Sequence, residues 1–299
     1  RFWRRLGFVP TVEEITGFAE GMRAAMADIG LHDSSRAWVD TCGTGGHGRA
    51  VFNVSTAAAL AAAGAGLGVA KHGNRSSTSV CGSADVLEAA GVNLQFPAAR
   101  LGECLEAVGM AFLFAPKLHP AMARVMPARR ALRVRTIFNL LGPLTNPAGA
   151  QAQVVGVGDA ELLPKLAEAL ACLGTRHSFV VRSRDGLAEL STTDVNEVAE
   201  IRAGLVRQYT LDARELGLER VGLEAFACKS REDAVARLHQ VLAGEPGPLQ
   251  DIVSLNAGAA LLAGGGARDW AEGVELARAS LQSGAARRIL EKLVAYTRD

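Results

Sequence analysis

Glycine, hydroxyl and cationic residues are concentrated between Asp40 and Glu88, in two turns that begin about 30 residues apart. The first turn reads GTGGHG over 43–48, and the second reads HGNRSSTS over 72–79. Each follows a short strand-like run and leads into an alanine-rich helix. Glycines allow the backbone to approach an anion closely, and a helix N-terminus points free N–H groups and its positive dipole end at it. The pattern predicts a phosphate-binding site built twice at one edge of a sheet.

Side chains in and after these turns supply further groups that suit an anion. Lys71 and Arg75 carry full positive charge, which phosphate oxygens favour. Hydroxyl donors come from Ser55, Thr56, Ser76, Ser77, Thr78 and Ser79. We therefore expect the chain to handle a phosphorylated small molecule.

Neither turn matches a common nucleotide-binding motif. The first lacks the glycine spacing and downstream acid of a dinucleotide-binding fingerprint, and it lacks the Gly-Lys-Ser/Thr of a P-loop. A glycine-rich loop can be a plain tight turn, and Asn53 and Ser55 can be plain helix N-caps. A solvated charge run is the alternative for residues 71–75, although apolar residues precede it and no helix face accounts for it.

A second group of polar residues lies further along, in His119-Pro120, Arg129-Arg130 and residues 142–147 (GPLTNP). A histidine before proline is often a turn or cap residue, paired arginines are common on surfaces, and GPLTNP can be a rigid loop. Both the structural and the functional interpretation stay open for this segment.

Composition narrows the class of protein. The 299 residues are 49% apolar and 5% aromatic with 33 glycines, which suits an α/β enzyme with close packing, and a formal charge of +1 gives no general attraction to nucleic acid or membrane. The five cysteines, Cys42, Cys81, Cys104, Cys172 and Cys228, form no CxxC pair, which disfavours a metal cluster or a disulfide framework and suits a reducing cytoplasm. We recognise no transmembrane run or signal peptide, and we expect the N-terminus, which begins at Arg1, to be trimmed.

Strand and helix patterns alternate along most of the chain. Strands are predicted at 38–42, 67–71, 111–114, 153–157 and 178–181, and helices at 11–28, 53–64, 83–90, 98–108 and 160–173. Residues 186–212 predict shorter antiparallel edge strands, residues 119–147 predict two helices, and the chain from Arg231 onward predicts three helices. The alternation predicts a mostly parallel sheet covered on both faces, with ligands at the carboxyl ends of its strands.

The segments that interrupt this alternation predict two lobes. Residues 1–30 and 118–146 are expected to form a small helical lobe, and residues 31–117 and 147–299 a large α/β lobe. A second substrate would sit in the cleft between them.

Taken together, these motifs resemble those of the anthranilate phosphoribosyltransferase family. The matching stretches are GTGGH, NVST, KHGNR, CGSAD, HPAM, Arg129, RTIFNLLGPLTNP and DGLAE, in the family's order over nearly the whole chain. The resemblance implies a fold of the nucleoside phosphorylase/phosphoribosyltransferase type. It also implies transfer of phosphoribosyl from phosphoribosyl pyrophosphate (PRPP) to the amine of anthranilate, with release of pyrophosphate, in tryptophan biosynthesis. A homodimer is implied too, although the N-terminal helices that contribute to the family's dimer interface are not recognised here.

The resemblance assigns residues to both substrates. PRPP-binding residues would be Gly43, Gly46, His47, Val51, Asn53, Val54, Ser55, Thr56, Lys71, His72, Gly73, Asn74, Arg75, Ser76, Ser77, Thr78, Ser79 and Ser83. Anthranilate-binding residues would be Gly43, His72, Asn74, His119, Arg129 and Pro143. Arg129 suits the aromatic carboxylate, because a guanidinium group can meet it with two hydrogen bonds. No covalent nucleophile is expected, since displacing pyrophosphate mainly requires clamping the anion and placing the amine.

Four residues depart from the family pattern near the phosphate and metal positions. His47 stands in place of an aspartate, Val51 in place of a common threonine, Cys81 in place of a serine, and Ala188 in place of the first acid of an acidic pair. Mg²⁺ favours carboxylate and phosphate oxygens, which alanine does not offer. We expect Ser55 and Glu189 to hold one Mg²⁺, a second site to be weakened or lost, and His47 to touch the pyrophosphate.

Three hypotheses follow. The first is an anthranilate phosphoribosyltransferase with altered magnesium dependence. The second is a paralogous phosphoribosyltransferase or phosphorylase with another aromatic or nucleobase acceptor. The third is a non-catalytic descendant that binds a phosphorylated ligand or nucleic acid, against which the near-neutral charge argues.

Overall fold

A seven-stranded sheet organises the parts of the chain that the computed structural model describes, residues 10–32, 36–45, 50–76, 80–132 and 136–299. Its strands are β1 Trp38–Gly43, β2 Gly68–Gly73, β3 Met110–Phe114, β4 Ala152–Gly156, β5 His177–Ser183, β6 Asn196–Arg202 and β7 Leu205–Leu211, in the order β3-β2-β1-β4-β5-β6-β7. The first five strands are parallel, and β6 and β7 add antiparallel at one edge. The predicted α/β fold and its antiparallel edge are confirmed.

Helices precede, connect and follow these strands. They are α1 Val12–Ala24, α2 Val54–Gly64, α3 Ser83–Ala89, α4 Leu101–Val108, α5 Ala115–Leu118, α6 Met122–Leu132, α7 Leu162–Cys172, α8 Arg231–Leu242, α9 Pro248–Ala263, α10 Trp270–Gln282 and α11 Ala285–Arg298. The prediction of three helices after Arg231 is wrong, because this fully described segment contains four. Gly244, Gly265 and Gly284 adopt positive φ between them, and this left-handed backbone ends one helix before the next begins.

The second helix predicted within 119–147 is also wrong. After α6, the described residues 136–146 form two single 3₁₀ turns, Ile137–Asn139 and Gly142–Leu144. Pro143 lacks a backbone N–H and Gly142 favours turns, so this stretch cannot sustain an α-helix. The result is a compact loop at the carboxyl edge of the sheet.

Helices cover both faces of the sheet. On one face α2, whose surface is almost wholly alanine, is buried against α9, α10 and α11. On the other face α1 and α7 pack with Leu140 and Leu144 over Val155 and Val180. Methyl side chains allow these layers to approach closely. Burial of their apolar surface, at about 25 cal/mol per Å², stabilises the packing. The division into a small and a large lobe stays a prediction.

Helix α1 has a clear capping structure at its start. Thr11 Oγ1 accepts from the Glu14 N–H at 3.2 Å, and the Glu14 carboxylate accepts from the Thr11 N–H at 2.8 Å, which forms a capping box. From its last turn, Arg23 Nε donates to the Leu144 carbonyl at 2.7 Å. Helix α1 therefore anchors the loop that contains Pro143.

The strand order reverses between β1 and β4, which is where ligands bind in open α/β sheets. β1 ends at Gly43 and β4 at Gly156, and the Thr44 N–H donates to the Gly156 carbonyl at 2.9 Å. Within the described ranges, no helix combines the length and apolarity needed to cross a membrane.

Candidate active site

Lys71 lies at the carboxyl end of β2 with only 1% of its surface exposed. Its Nζ donates to the Thr41 carbonyl at 2.6 Å and to Ser55 Oγ at 3.4 Å. Burial lowers the pKa of this ammonium, while the negative charges of Asp40 and Glu189 act in the opposite direction. The strand thus presents a cation beside the first turn of α2, where free N–H groups already favour an anion.

The segments that follow the two predicted turns are joined by a hydrogen bond. Asn53 precedes α2, and its Nδ2 donates to the carbonyl of Cys81, which lies just after the second turn, at 3.0 Å. Among the described residues, its side chain makes no capping hydrogen bond, so plain N-capping does not explain it. Asn53 Oδ1 and Thr56 Oγ1 are buried, and neither atom makes a hydrogen bond with the described residues. Such orphaned groups are costly and suit a polar ligand.

The second loop packs tightly on its own helix. Ser83 Oγ donates to the Asn74 carbonyl at 3.2 Å, and a Cβ at Gly73 would lie 2.3 Å from Ser83 Oγ. Gly73 is therefore required for this close approach. Val51 forms an isolated bridge with Ala227, and Val54 is buried in the first turn of α2.

Arg75 is engaged within the protein. Its guanidinium contacts Asp85 at 2.9 Å and Glu88 at 2.8 Å, and Arg231 of α8 also contacts Glu88, at 3.1 Å. A contact between Arg75 and phosphate would require it to leave these carboxylates. Of the other predicted donor-side residues, Gly46, His47, Ser77, Thr78 and Ser79 lie outside the described residues.

On the acceptor side, two buried histidines form a chain of hydrogen bonds. His72 Nδ1 lies 2.9 Å from the Gly142 carbonyl, and His119 Nε2 lies 3.1 Å from His72 Nε2. Since a carbonyl only accepts, His72 carries its proton on Nδ1, and His119 then donates from Nε2. Burial, followed by the neighbouring His119, lowers the pKa of His72 to about 3, and burial lowers the pKa of His119 as well. Both imidazoles are therefore neutral at physiological pH.

Three further predicted acceptor residues lie on other elements. The Pro143 carbonyl accepts from Gln153 Nε2 at 2.7 Å, and Asn74 Oδ1 accepts from the Arg75 N–H at 2.7 Å. Arg129 lies on α6 with its guanidinium carbon 5.8 Å from the Phe138 ring centroid. Partial burial lowers the pKa of Arg129, which stays a cation at physiological pH.

The cysteines near the loops are poor nucleophiles. Burial raises the pKa of the Cys42 thiol well above its usual value. Burial also raises the pKa of Cys81 to about 11. The thiolate is the reactive form, so both side chains act as packing groups.

The sequence reasoning missed Asp40 and Asn146. Asp40 is fully buried; its Oδ1 accepts from the His72 N–H at 3.1 Å and its Oδ2 from Asn146 Nδ2 at 2.9 Å. Burial raises the pKa of this carboxyl above its usual value, although Lys71 and the hydrogen bonds of Asp40 act in the opposite direction. An acid within the apolar strand Trp38–Gly43 was the available signal, because buried carboxylates are almost always paired.

Ser55 and Glu189 line one small cavity at the ends of β1 and β4, together with Thr41, Gly156 and Ala188. A Cβ at Gly156 would lie 1.6 Å from the Ala188 carbonyl, so this glycine allows the Ala188–Glu189 backbone to cross the strand end. Among the described residues, no three His, Cys, Asp or Glu side chains are grouped closely enough to hold a metal alone. One carboxylate and one hydroxyl fit a Mg²⁺ that takes its other ligands from substrate phosphates and water.

Comparison with known proteins identifies the family of this chain. Residues 35–287 match the family model described as "Glycosyl transferase family, a/b domain". The anthranilate phosphoribosyltransferase of Symbiobacterium thermophilum is 50% identical over 287 residues, covering 96% of this chain and 84% of the relative. That of Nitrosomonas europaea is 48% identical with the same coverage.

Solved structures indicate the same family. The anthranilate phosphoribosyltransferase of Thermus thermophilus superimposes with a TM-score of 0.91 at 46% identity, covering 97% of this chain and 86% of that one. The Saccharomyces cerevisiae enzyme in complex with PRPP and Mg superimposes with a TM-score of 0.88 at 29% identity, covering 96% and 80%. From its motifs, its sheet and these relatives, the chain belongs to the anthranilate phosphoribosyltransferase family.

Proposed function

We propose that this protein transfers phosphoribosyl from PRPP to the amine of anthranilate and releases pyrophosphate, a step of tryptophan biosynthesis. The proposal rests on the arrangement of side chains at the end of β2, where consecutive residues point to opposite faces of the sheet. Lys71 contacts Ser55 beside α2, and His72 contacts Gly142 in the loop 142–146. One strand end therefore serves a phosphate side and an acceptor side at once.

The donor side would bind the pyrophosphate and the ribose phosphate. As the bond to pyrophosphate lengthens, negative charge grows on the leaving group, and Lys71 with the N-terminus of α2 would stabilise it. Asn53 and Thr56 offer the buried polar atoms described above. Clamping the leaving group while the amine is held in place lowers the barrier without a covalent intermediate.

The acceptor side would position anthranilate. Because His72 and His119 are neutral, the positive charge that the aromatic carboxylate requires must come from elsewhere. Arg129 would supply it, and Asn74 and Pro143 would complete the pocket. An arylamine is a weak base that attacks as the neutral species, which a neutral histidine pair accommodates.

We propose that one Mg²⁺ takes part, held by Ser55 and Glu189 with oxygens of PRPP. When bound, the ion neutralises charge on the leaving pyrophosphate. Magnesium use is supported by the yeast relative that binds PRPP and Mg. Ala188 offers no carboxylate, so the proposal includes no second, protein-held ion.

The family resemblance further supports a homodimer of two-lobed subunits, located in the cytoplasm. These features belong to the proposal. Sedimentation of the purified protein tests the dimer directly.

Acceptor identity is tested by measuring pyrophosphate release from PRPP with anthranilate, with other aromatic amines, or with nucleobases. A parallel assay follows nucleoside cleavage by inorganic phosphate. The proposal predicts release with anthranilate that exceeds every other acceptor. Faster release with a nucleobase, or phosphate-dependent nucleoside cleavage, would instead support the paralogous enzyme.

A further inference from the structure

Asp40 is a fully buried carboxylate to which the proposed mechanism gives no role. Two of its contacts are N–H donors, the His72 backbone at 3.1 Å and Asn146 Nδ2 at 2.9 Å. The Cys42 thiol is a further hydrogen-bond partner. An ionised carboxylate accepts at both oxygens, so this environment matches its charged form. A cationic neighbour is Lys71 of β2, whose charge opposes the cost of burying Asp40.

These contacts close a ring that joins strands to the loop of residues 142–146. From Asp40 the ring passes through the His72 backbone and ring to the Gly142 carbonyl, 2.9 Å from Nδ1. It returns along the loop to Asn146, whose Nδ2 donates to Asp40 and also to the Ala70 carbonyl at 2.7 Å. Asn146 Oδ1 accepts from the Ala148 N–H at 2.8 Å, so the amide orientation is determined by its partners.

Two residues proposed for the anthranilate pocket, His72 and Pro143, lie within this ring. Lys71, proposed for the PRPP side, is adjacent to it and faces the charge of Asp40. We propose that Asp40 is a positioning residue for both substrates: its hydrogen bonds order the acceptor pocket, and its charge balances Lys71 on the donor side. This inference rests on the proposed assignment of these residues to the two substrates.

Two variants separate the two effects. Asp40→Asn presents an N–H₂ group to Asn146 Nδ2, which opens the ring, and it also removes the charge that faces Lys71. Asn146→Ser opens the same ring and leaves both charges in place. Losing a buried, charge-assisted hydrogen bond corresponds to about a tenfold change or more in an equilibrium constant.

We expect Asp40→Asn to raise the KM of both substrates by about tenfold or more. Asn146→Ser should raise the KM of anthranilate by about tenfold and change that of PRPP by less than about twofold. The matched control is Ser178→Ala, which removes a buried hydroxyl that lies 2.6 Å from Thr175 Oγ1 at the opposite end of the sheet. This control should lower the melting temperature and leave both KM values unchanged.

A purely structural role would lower the melting temperature of all three variants without this division of KM values. That result, or an unchanged anthranilate KM in Asn146→Ser, overturns the inference. If Asp40→Asn does not fold, Asn146→Ser still decides whether the ring orders the acceptor pocket. His72→Ala separates the two proposals: an unchanged anthranilate KM there refutes the acceptor pocket and this inference with it. A raised KM in His72→Ala but not in Asn146→Ser refutes only the role of the ring.

Discussion

The buried histidine pair makes the stability of this protein depend on pH. The pKa of His72 is lowered to about 3 in the folded protein, whereas an unfolded histidine titrates near 6.5. As the pH falls, the unfolded chain therefore binds the proton first. The contribution of His72 is fully present above about pH 6.5 and is lost progressively between about pH 6.5 and 3.

The size of the effect follows from these two values. A pH of 5 is about 1.5 units below the pKa of an unfolded histidine, which is then charged, while folded His72 is still neutral. At about 1.4 kcal/mol per pH unit, His72 lowers the free energy of unfolding by about 2 kcal/mol as the pH falls from 7.5 to 5. His72→Gln removes this titration. Its free energy of unfolding should therefore fall by about 2 kcal/mol less than that of the wild type over the same pH interval.

Urea unfolding at a series of pH values, followed by circular dichroism, measures this difference. Ser178→Ala is the control, since it removes a buried hydrogen bond without any ionisable group and should keep the slope of the wild type. The reasoning is refuted if His72→Gln has the same pH dependence as the wild type. Equal slopes would mean that His72 takes up its proton over the same pH range in the folded protein as in the unfolded chain.

Three further substitutions test the proposed site. Arg129→Ala should raise the KM of anthranilate by about tenfold or more at an unchanged PRPP KM, and unchanged acceptor kinetics would remove Arg129 from that role. Ala188→Asp should lower the magnesium concentration for half-maximal rate, and an identical titration curve would contradict the single-ion account. Gly156→Ala would bring a methyl group to 1.6 Å from the Ala188 carbonyl, so we expect a loss of about 2 kcal/mol or more in unfolding free energy and a raised PRPP KM. Full stability in that variant would show that the Ala188–Glu189 backbone moves freely.

Local patterns were sufficient to predict much of the fold. The apolar run before GTGG and the alanine-rich stretch after it correctly placed β1 and α2, and the edge strands β6 and β7 were also expected. Errors arose where the backbone depends on single glycines and prolines. Gly244, Gly265 and Gly284 divide the C-terminal region into four helices, and Gly142-Pro143 replaces a helix with turns.

Long-range pairings explain what the sequence could not reveal about the site. Asn146 meets Asp40 across 106 residues, and His72 meets Gly142 across 70. No local spacing encodes such contacts, which depend on the order of strands in the sheet. Likewise, the charge of Arg75 suggested a phosphate ligand, but its partners Asp85 and Glu88 lie on the following helix and are seen only in three dimensions.

The most direct test of the account is to mix the purified protein with PRPP and anthranilate and to follow the loss of anthranilate fluorescence. The titration begins in a chelator and adds magnesium stepwise. The account predicts turnover that requires magnesium and saturates along a single-site curve. The absence of turnover at every magnesium concentration, with a folded protein, would contradict it and favour another acceptor or a role in binding alone.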